Sequence, residues 1–127
     1  LYNRPANLFA AGFFSELNVF DAGVSGGRVE TPLGIFAAPG FVDGTAAAVA
    51  FRLSAFDVSE THGETPARVI SRRFLGVVEL LELAVPGMER PVRARVRCGA
   101  LSGANREIWL TVRRSDVLVF ERAPESA

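Results

Sequence analysis

The sequence predicts an all-β fold, either a barrel or a sandwich. Short runs of apolar and β-branched residues are separated by turn signals at intervals of about eight to twelve residues. The chain of 127 residues is long enough for one domain with a substantial core, and 49% of its residues are hydrophobic against 22% charged. No apolar run approaches the ~20 residues of a membrane-spanning helix. We therefore expect one globular β domain.

The stretch at residues 68–85 is the centre of this prediction. It reads RVISRRFLGVVELLELAV, is rich in β-branched residues and contains one glycine, Gly76. A glycine within a strand pattern usually indicates a bulge or a bend. We expect one long strand, kinked at Phe74, Leu75 and Gly76, whose two halves contribute to two faces of a small closed barrel. The other strands should form the walls that bury it.

The chain before this centre is expected to form a short helix and then several strands. Pro5 suits the first turn of a helix at residues 5–14, whose apolar face would contain Phe9, Ala10, Phe13 and Phe14. A hairpin follows, with a strand at residues 18–24, a Ser-Gly-Gly turn at 25–27 and a return strand within 28–34. Residues 34–39 and 45–51 predict two further strands. The small residues of TAAAVAF at 45–51 indicate a central, closely packed strand, with a short exit strand at 57–58.

Three strands are predicted after the centre. A turn at Pro86 and Gly87 leads to residues 91–98, where apolar and basic residues alternate as in a half-buried strand. Residues 107–112 place Trp109 on one side of a strand and three apolar residues on the other: Ile108, Leu110 and Val112. Residues 117–120 form the last strand, and residues 123–127 are expected to be a tail.

The charged residues and the single cysteine exclude several classes of chemistry. The 14 basic residues balance the 14 acidic ones, so no overall field attracts nucleic acid or an anionic membrane. All basic residues are arginine, and without lysine the chain cannot perform Schiff-base catalysis or form a Walker A phosphate loop. One cysteine allows no internal disulfide, which fits a reducing compartment.

The arginines of residues 91–98 form a basic stripe on one face of the predicted strand: Arg93, Arg95 and Arg97. On a barrel of the OB type such a stripe could follow a nucleic-acid backbone. The zero net charge and the lack of an aromatic stacking platform favour a solvated or interface surface instead. Four carboxylates are available to pair with the stripe across strands: Glu79, Glu82, Glu89 and Glu107.

The remaining candidate sites are also better explained by structure than by chemistry. His62 lies in a polar turn between Glu60 and Glu64, without a second histidine or a cysteine to complete a metal site. Cys98 has no histidine near it in the sequence, so packing is favoured over a nucleophilic role. The glycines at 26 and 27 could present amides to a phosphate, but a hairpin turn explains them more simply. We therefore expect no catalytic site, metal site or bound cofactor in this chain.

Four segments resemble the region that follows the nucleotide-binding domain in ABC importer ATPases. The start, LYNRPANLFAAGFFSELNVF, resembles the junction pattern "lY..P.n.FvA.FiG..N", with Ala10 and Ser15 as departures. Arg52 agrees with the first part of "iRPE", whereas Leu53 and Ser54 depart from it. Residues 67–76 (ARVISRRFLG), with Phe74, Leu75 and Gly76, resemble the "a.V....FLG" core of the transport-associated OB (TOBE) barrel, and residues 107–120 resemble its "v.l.i.p.dv.vF" ending. The junction matches fall at Tyr2, Pro5, Asn7, Phe9, Ala11, Phe13 and Asn18.

The resemblance implies a fragment: the C-terminal regulatory and dimerisation domain of the ATP-binding subunit of an ABC importer. It is most like the ferric-iron branch, and the polyamine, thiamine, sulfate and sugar branches are the alternatives. Residues 1–15 would be the end of, or linker from, the nucleotide-binding domain; residues 16–122 an OB-like TOBE barrel; and residues 123–127 a tail. ATP and magnesium would bind upstream, so this chain is not itself expected to be an enzyme. The parent protein would be cytoplasmic and peripheral on the inner membrane, in contact with permease subunits.

The partner that this resemblance implies is a second copy of the domain, together with the subunit's own ATP-binding domain. Trp109 or Phe120 is expected in the contact, with arginine and glutamate side chains at its rim. Two alternatives remain open. One is a small-oxyanion site of the molybdate type, since residues 71–76 (SRRFLG) partly resemble the "SARN.F.G.V" run of such domains but lack its asparagine. The other is an OB-fold nucleic-acid-binding module.

Overall fold

A computed structural model describes residues 17–102 and 106–121. Within these ranges it contains two 3₁₀ turns, at Leu53–Ala55 and Arg114–Asp116, and no helix long and apolar enough to cross a membrane. The predicted helix at residues 5–14, the predicted linker and the C-terminal tail lie outside the described residues. The strands are β1 (Leu17–Ser25), β2 (Arg28–Thr31), β3 (Gly34–Ala37), β4 (Ala46–Arg52), β5 (Phe56–Ser59), β6 (Thr65–Phe74), β7 (Val78–Ala84), β8 (Val92–Arg97), β9 (Glu107–Val112) and β10 (Val117–Glu121).

The strands form two antiparallel sheets of five strands each, and the all-β prediction is confirmed. The first sheet has the order β10-β4-β1-β2-β3, and the second has the order β5-β9-β6-β7-β8. In the second sheet the edge strand β8 lies beside the opposite edge strand β5. This sheet is therefore a nearly closed barrel of the OB-like kind.

The predicted single barrel differs from the observed arrangement in one respect. Five of the strands do not form walls around residues 68–85 but build a sheet of their own, in which β1 to β4 pair with one another and β10 returns to pair with β4. This first sheet is also curled. Arg114, just before β10 at one edge, donates from Nη1 to the carbonyl oxygen of Ile35 in β3 at the other edge, at 2.6 Å. Its guanidinium also lies 4.8 Å from the ring centroid of Phe36.

One continuous core joins the two sheets. Its buried residues come from β1 to β4 of the first sheet and from every strand of the barrel. Phe51 at the end of β4 is fully buried between two other rings, edge-on to Phe36 at 5.5 Å and stacked on Phe56 at 6.2 Å. Because Phe36 belongs to the first sheet and Phe56 begins the barrel, these three rings form the main apolar link between them.

The central position of residues 45–51 is confirmed. β4 lies between β1 and β10, and all its residues from 47 to 51 are buried. Val49 and Phe51 face the shared core. Ala50 faces the other side of the sheet, where it forms a small second cluster with Leu17 and Phe120. Small residues suit this strand because it is covered on both faces.

The prediction for residues 68–85 is wrong in its connectivity. The stretch is not one kinked strand but two, β6 and β7, which pair antiparallel as a hairpin. The amide of Leu75 donates to the carbonyl oxygen of Val78 at 2.8 Å, which leaves Gly76 and Val77 as a two-residue loop. Gly76 has φ +97°, as a tight hairpin loop with glycine at its first position requires. The glycine therefore reverses the chain instead of bending a continuous strand.

The other strand predictions are confirmed by the pairing. β1 and β2 form the predicted hairpin, with Val24 opposite Val29 around a turn in which Gly26 and Gly27 have positive φ. β3, β5 and β10 occupy the expected segments. The alternating segments become β8 and β9, whose apolar faces are buried: Val92, Ala94, Val96, Ile108, Leu110 and Val112.

Candidate functional site

A buried carboxylate lies inside one end of the barrel. Glu79 is in β7, where it alternates with Leu81 and Leu83 on the inward face, and all three side chains are fully buried. A carboxylate without water needs a charged partner and hydrogen bonds, because burying an isolated charge is very unfavourable. The geometry around Glu79 therefore determines how this end of the barrel is closed.

Arg72 of β6 is the partner of Glu79. Its Nε and Nη2 donate to the two carboxylate oxygens of Glu79, the second bond measuring 3.1 Å. Nη1 donates to the carbonyl oxygen of Ser102 at 2.9 Å. The hydrogen bonds to Glu79 raise the pKa of Arg72 above its ordinary value, so the guanidinium stays charged. The pair is two-pronged and ties β6, β7 and the loop after β8 together.

A β-bulge in β6 turns Arg72 toward the interior. Val69 pairs with Leu83 and Ser71 with Glu82, so Ile70 is an extra residue in the register. Ala67 and Val69 are buried and point into the barrel, so in a regular strand the next side chain to point inward would be that of Ser71. Because of the extra residue, Arg72 points inward in place of Ser71 and lies opposite the inward-facing Leu81. Ile70 itself is 47% exposed. The bulge therefore brings the cation to the buried carboxylate.

A second carboxylate extends this network at the surface. Glu60, in the loop after β5, accepts hydrogen bonds from the hydroxyl of Ser102 at 2.7 Å and from its amide at 2.8 Å. These two bonds, the side-chain bond first, hold the pKa of Glu60 below its ordinary value. The loop at residues 98–102 is thus held between Arg72 from one side and Glu60 from the other.

We expect Ser102→Ala to raise the pKa of Glu60 toward its ordinary value, because the variant removes the stronger of the two hydrogen bonds. A carboxyl group whose folded-state pKa is lowered contributes stability above its unfolded-state pKa and loses that contribution as the pH falls through the lowered value. Side-chain NMR titration of Glu60 measures the midpoint directly. Ser54→Ala, a change at an exposed serine away from this loop, is the control, and an equal midpoint in both variants would contradict the assignment.

The arginine stripe lies on the outer face of β8, as predicted. Arg95 and Arg97 are exposed, and Arg93 is half-buried. Arg93 donates from Nη2 to the carbonyl oxygen of Leu17 at 2.8 Å. The prediction that Glu79 could pair with the stripe is wrong. Its side chain points into the barrel, on the same face of β7 as Leu81. Glu82 lies opposite Arg93 on the outer face and accepts a hydrogen bond from Ser71 at 3.0 Å.

Asn18 joins the two sheets through its side chain. Its Nδ2 donates to the carbonyl oxygen of Arg93, its Oδ1 accepts from the amide of Arg93, and both distances are 2.8 Å. One buried amide side chain thereby replaces a pair of strand-to-strand hydrogen bonds between β1 and β8. Of the other junction residues, Pro5, Asn7, Phe9 and Phe13 lie outside the described residues. Arg52 is exposed at the end of β4.

An exposed apolar hairpin tip lies next to the ion pair. Phe74, Leu75 and Val77 are 65%, 50% and 81% exposed, and with Gly76 they form what we call the hairpin tip. The guanidinium of Arg72 lies 5.5 Å from the ring centroid of Phe74, so the ring is supported by the buried ion pair. The tip is therefore an apolar surface on a well-braced hairpin.

A different surface surrounds Trp109 on the outer side of the barrel. Trp109 is 36% exposed and lies between Ser59 of β5 and Pro66 of β6. Gly63 packs against it so closely that a Cβ there would lie 2.6 Å from the Cβ of Trp109. We define the Trp109 face by these neighbours and the charged residues around them: Asp57, Ser59, Pro66, Arg68, Glu107 and Trp109. Phe120, the other residue expected in a contact, is 4% exposed and has little side chain to offer a partner.

The other candidate residues from the sequence, His62 and Cys98, each lie close to a polar group of a neighbouring residue or loop. His62 is exposed, and its Nδ1 lies 3.0 Å from the hydroxyl of Thr61. Cys98 is half-buried, with its Sγ 3.3 Å from the carbonyl oxygen of Gly76. In residues 17–102 and 106–121 there is no group of three or more His, Cys, Asp or Glu side chains placed to hold a metal ion. In residues 71–76, which resemble the run of molybdate-type domains, Ser71 and Arg72 already donate hydrogen bonds to carboxylates of this chain.

Sequence reasoning missed the Arg72–Glu79 pair and the tip. The only signal for Glu79 was its alternation with Leu81 and Leu83, which was obscured because Val78 and Leu80 make the other face apolar as well. Nothing in the sequence indicated the bulge at Ile70, so the inward orientation of the Arg72 side chain could not be predicted.

Comparison with known proteins adds no family. No family model matches this chain, and no curated protein matches it.

Proposed function

We propose that this chain is a non-catalytic regulatory and dimerisation domain of the ATP-binding subunit of an ABC importer, of the ferric-iron type. The observation that carries the proposal is the all-β architecture with an OB-like barrel, which is the fold that the four resembling segments imply. The segment that resembles the FLG core becomes β6 and its turn, and the segment that resembles the ending becomes β9, the second 3₁₀ turn and β10. The resemblance is therefore spread over both sheets.

The Trp109 face supports a contact with a second copy of the chain. An exposed tryptophan beside a proline on the outer surface of a sheet is typical of the centre of an interface. The charges around it are balanced in sign: Arg68 lies directly opposite Glu107, and Asp57 forms an ion pair with Arg113 at 2.9 Å. Two copies related by a two-fold axis can then place acidic groups of one against basic groups of the other.

The role in the parent protein follows from this contact. A dimerising domain attached to an ATP-binding subunit would keep two subunits together while their nucleotide sites open and close. Arginine and glutamate side chains would form the rim of the contact. ATP, magnesium and the transported iron would be handled by other parts of the transporter, which in this proposal is peripheral on the inner membrane.

Sedimentation of the isolated chain tests the proposal. We expect a monomer–dimer equilibrium, and we expect Trp109→Glu to weaken the dimer at least about tenfold, because a buried interface tryptophan is commonly a hot spot. Val42→Glu is the matched control, since Val42 is an exposed apolar residue in a loop far from this face in the sequence. A strict monomer at high concentration, or equal weakening by both variants, would argue against this contact.

A further inference from the structure

On the outer face of the barrel, the charge next to the hairpin tip differs from that around the Trp109 face. Arg73 directly precedes Phe74, and Arg97 lies opposite Val78 at the start of β7. In the next row of the outer face, Arg73 and Arg95 flank Leu80 on its two sides. Among the described strand residues, these two rows nearest the tip contain three exposed arginines, and the first outward-facing carboxylate, Glu82, comes one row further from the tip.

The charge around the tip disfavours a second copy of the chain as its occupant. A two-fold contact through the tip would place Arg73 and Arg97 of one copy against the same arginines of the other, and like charges brought together oppose association. The occupant should instead be anionic and should accept apolar side chains.

The shape of the tip favours a lipid surface over a protein groove. Phe74 ends β6, Leu75 precedes the two-residue loop and Val77 lies in it, so the three exposed apolar side chains are gathered at the end of a hairpin. A bilayer accepts such a hairpin end at the level of its headgroups without a matching pocket, and arginines behind it attract anionic lipid. The brace of Arg72 and Glu79 keeps the hairpin end rigid, so little conformational freedom is lost on insertion.

We propose that the hairpin tip is a docking site for anionic lipid bilayers. Phe74, Leu75 and Val77 enter the headgroup region, while Arg73 and Arg97 contact lipid phosphates. This inference is independent of the proposed function, because it uses neither the Trp109 face nor the resemblance.

Vesicle co-sedimentation tests the inference with the whole chain. We expect the chain to partition onto vesicles of phosphatidylglycerol and phosphatidylcholine mixed equally, and to bind pure phosphatidylcholine vesicles at least about tenfold more weakly. Exchanging Phe74, Leu75 and Val77 for serine should reduce partition at least about tenfold. Arg73→Ala with Arg97→Ala should reduce it by roughly fivefold per arginine, and raised salt should weaken the wild type.

Matched variants separate insertion from general effects. Val42→Ser removes an equally exposed apolar side chain elsewhere, and Arg28→Ala removes an exposed arginine at the β1–β2 turn, so both should bind like the wild type. Circular dichroism establishes that each variant is folded. Val77→Asp, a single change at the most exposed position, gives a second version of the tip variant that does not alter the hairpin strands.

Three results would overturn the inference. The first is no partition onto the anionic vesicles at low salt. The second is partition of the tip variants equal to that of the wild type, which would leave only electrostatic adsorption. The third is a concentration-dependent mass increase that the tip variants abolish, which would assign the tip to a second copy of the chain. Loss of partition in the tip variants, with a retained Trp109-dependent dimer, would support both proposals separately.

Discussion

Arg72→Ala is expected to destabilise the chain by about 3–5 kcal/mol, because it leaves the carboxylate of Glu79 buried without its cation. Glu79 is fully buried, and Arg72 provides both of its strong hydrogen bonds. Removal of one partner of a buried pair costs more than the pair itself contributes, since the other charge stays out of water. Urea unfolding at neutral pH, followed by circular dichroism, measures the loss.

Two further variants make this prediction specific. Arg73→Ala changes the next residue, which is exposed on the outer face, and should alter stability by at most about 0.5 kcal/mol. Arg72→Leu combined with Glu79→Leu removes both charges and should recover most of the stability lost in Arg72→Ala. If Arg72→Ala cost no more than Arg73→Ala, the ion pair would not be closing the barrel.

Phe51→Ala is expected to cost about 3–5 kcal/mol through a different mechanism, the loss of packing between the sheets. The ring of Phe51 is fully buried and contacts Phe36 of the first sheet and Phe56 of the barrel. The cavity left by alanine lies where the two sheets share their core, so both sheets should unfold in one transition at lower temperature. Thermal unfolding monitored by calorimetry measures this change.

Phe74→Ala is the matched control for Phe51→Ala. It removes the same ring from the hairpin tip, where Phe74 is 65% exposed and its ring lies 5.5 Å from the guanidinium of Arg72. We expect a cost of at most about 1 kcal/mol. Similar losses in the two phenylalanine variants would show that the shared core does not join the sheets in the way described.

Two of the correctly predicted strands, β8 and β9, are buried on one face only. Their buried apolar residues alternate with exposed or half-buried ones, so the period of two in the sequence reports directly which side is buried. β4 was recognisable for another reason, since its small residues suit a strand that is packed closely on both faces.

The β6–β7 hairpin was missed because its loop breaks the usual rule for turns. Hairpin loops are normally polar, whereas this one has Leu75 and Val77 around its glycine, so the apolar pattern continues through the reversal. An exposed apolar loop is a departure from local consistency, and such departures are expected where a surface has a function. The missed turn and the proposed docking site are therefore the same feature.

The division into two sheets could not be read from the sequence either. It depends on β10 pairing with β4, with Val119 opposite Val49, instead of joining the barrel strand that precedes it. The apolar pattern of β10 is the same for either pairing, so it does not indicate which strand β10 joins. The bulge at Ile70 is likewise invisible in a segment where arginines occupy three of six positions around it.

We propose that this β scaffold acts through a contact between copies at the Trp109 face. Hydroxyl-radical footprinting at increasing protein concentration tests it most directly, because it reports the exposure of individual aromatic side chains. We predict that the oxidation of Trp109 slows as the dimer forms, while that of Phe74 in the hairpin tip does not change. Unchanged oxidation of Trp109 at concentrations where the mass doubles, or slower oxidation of Phe74 instead, would contradict the account.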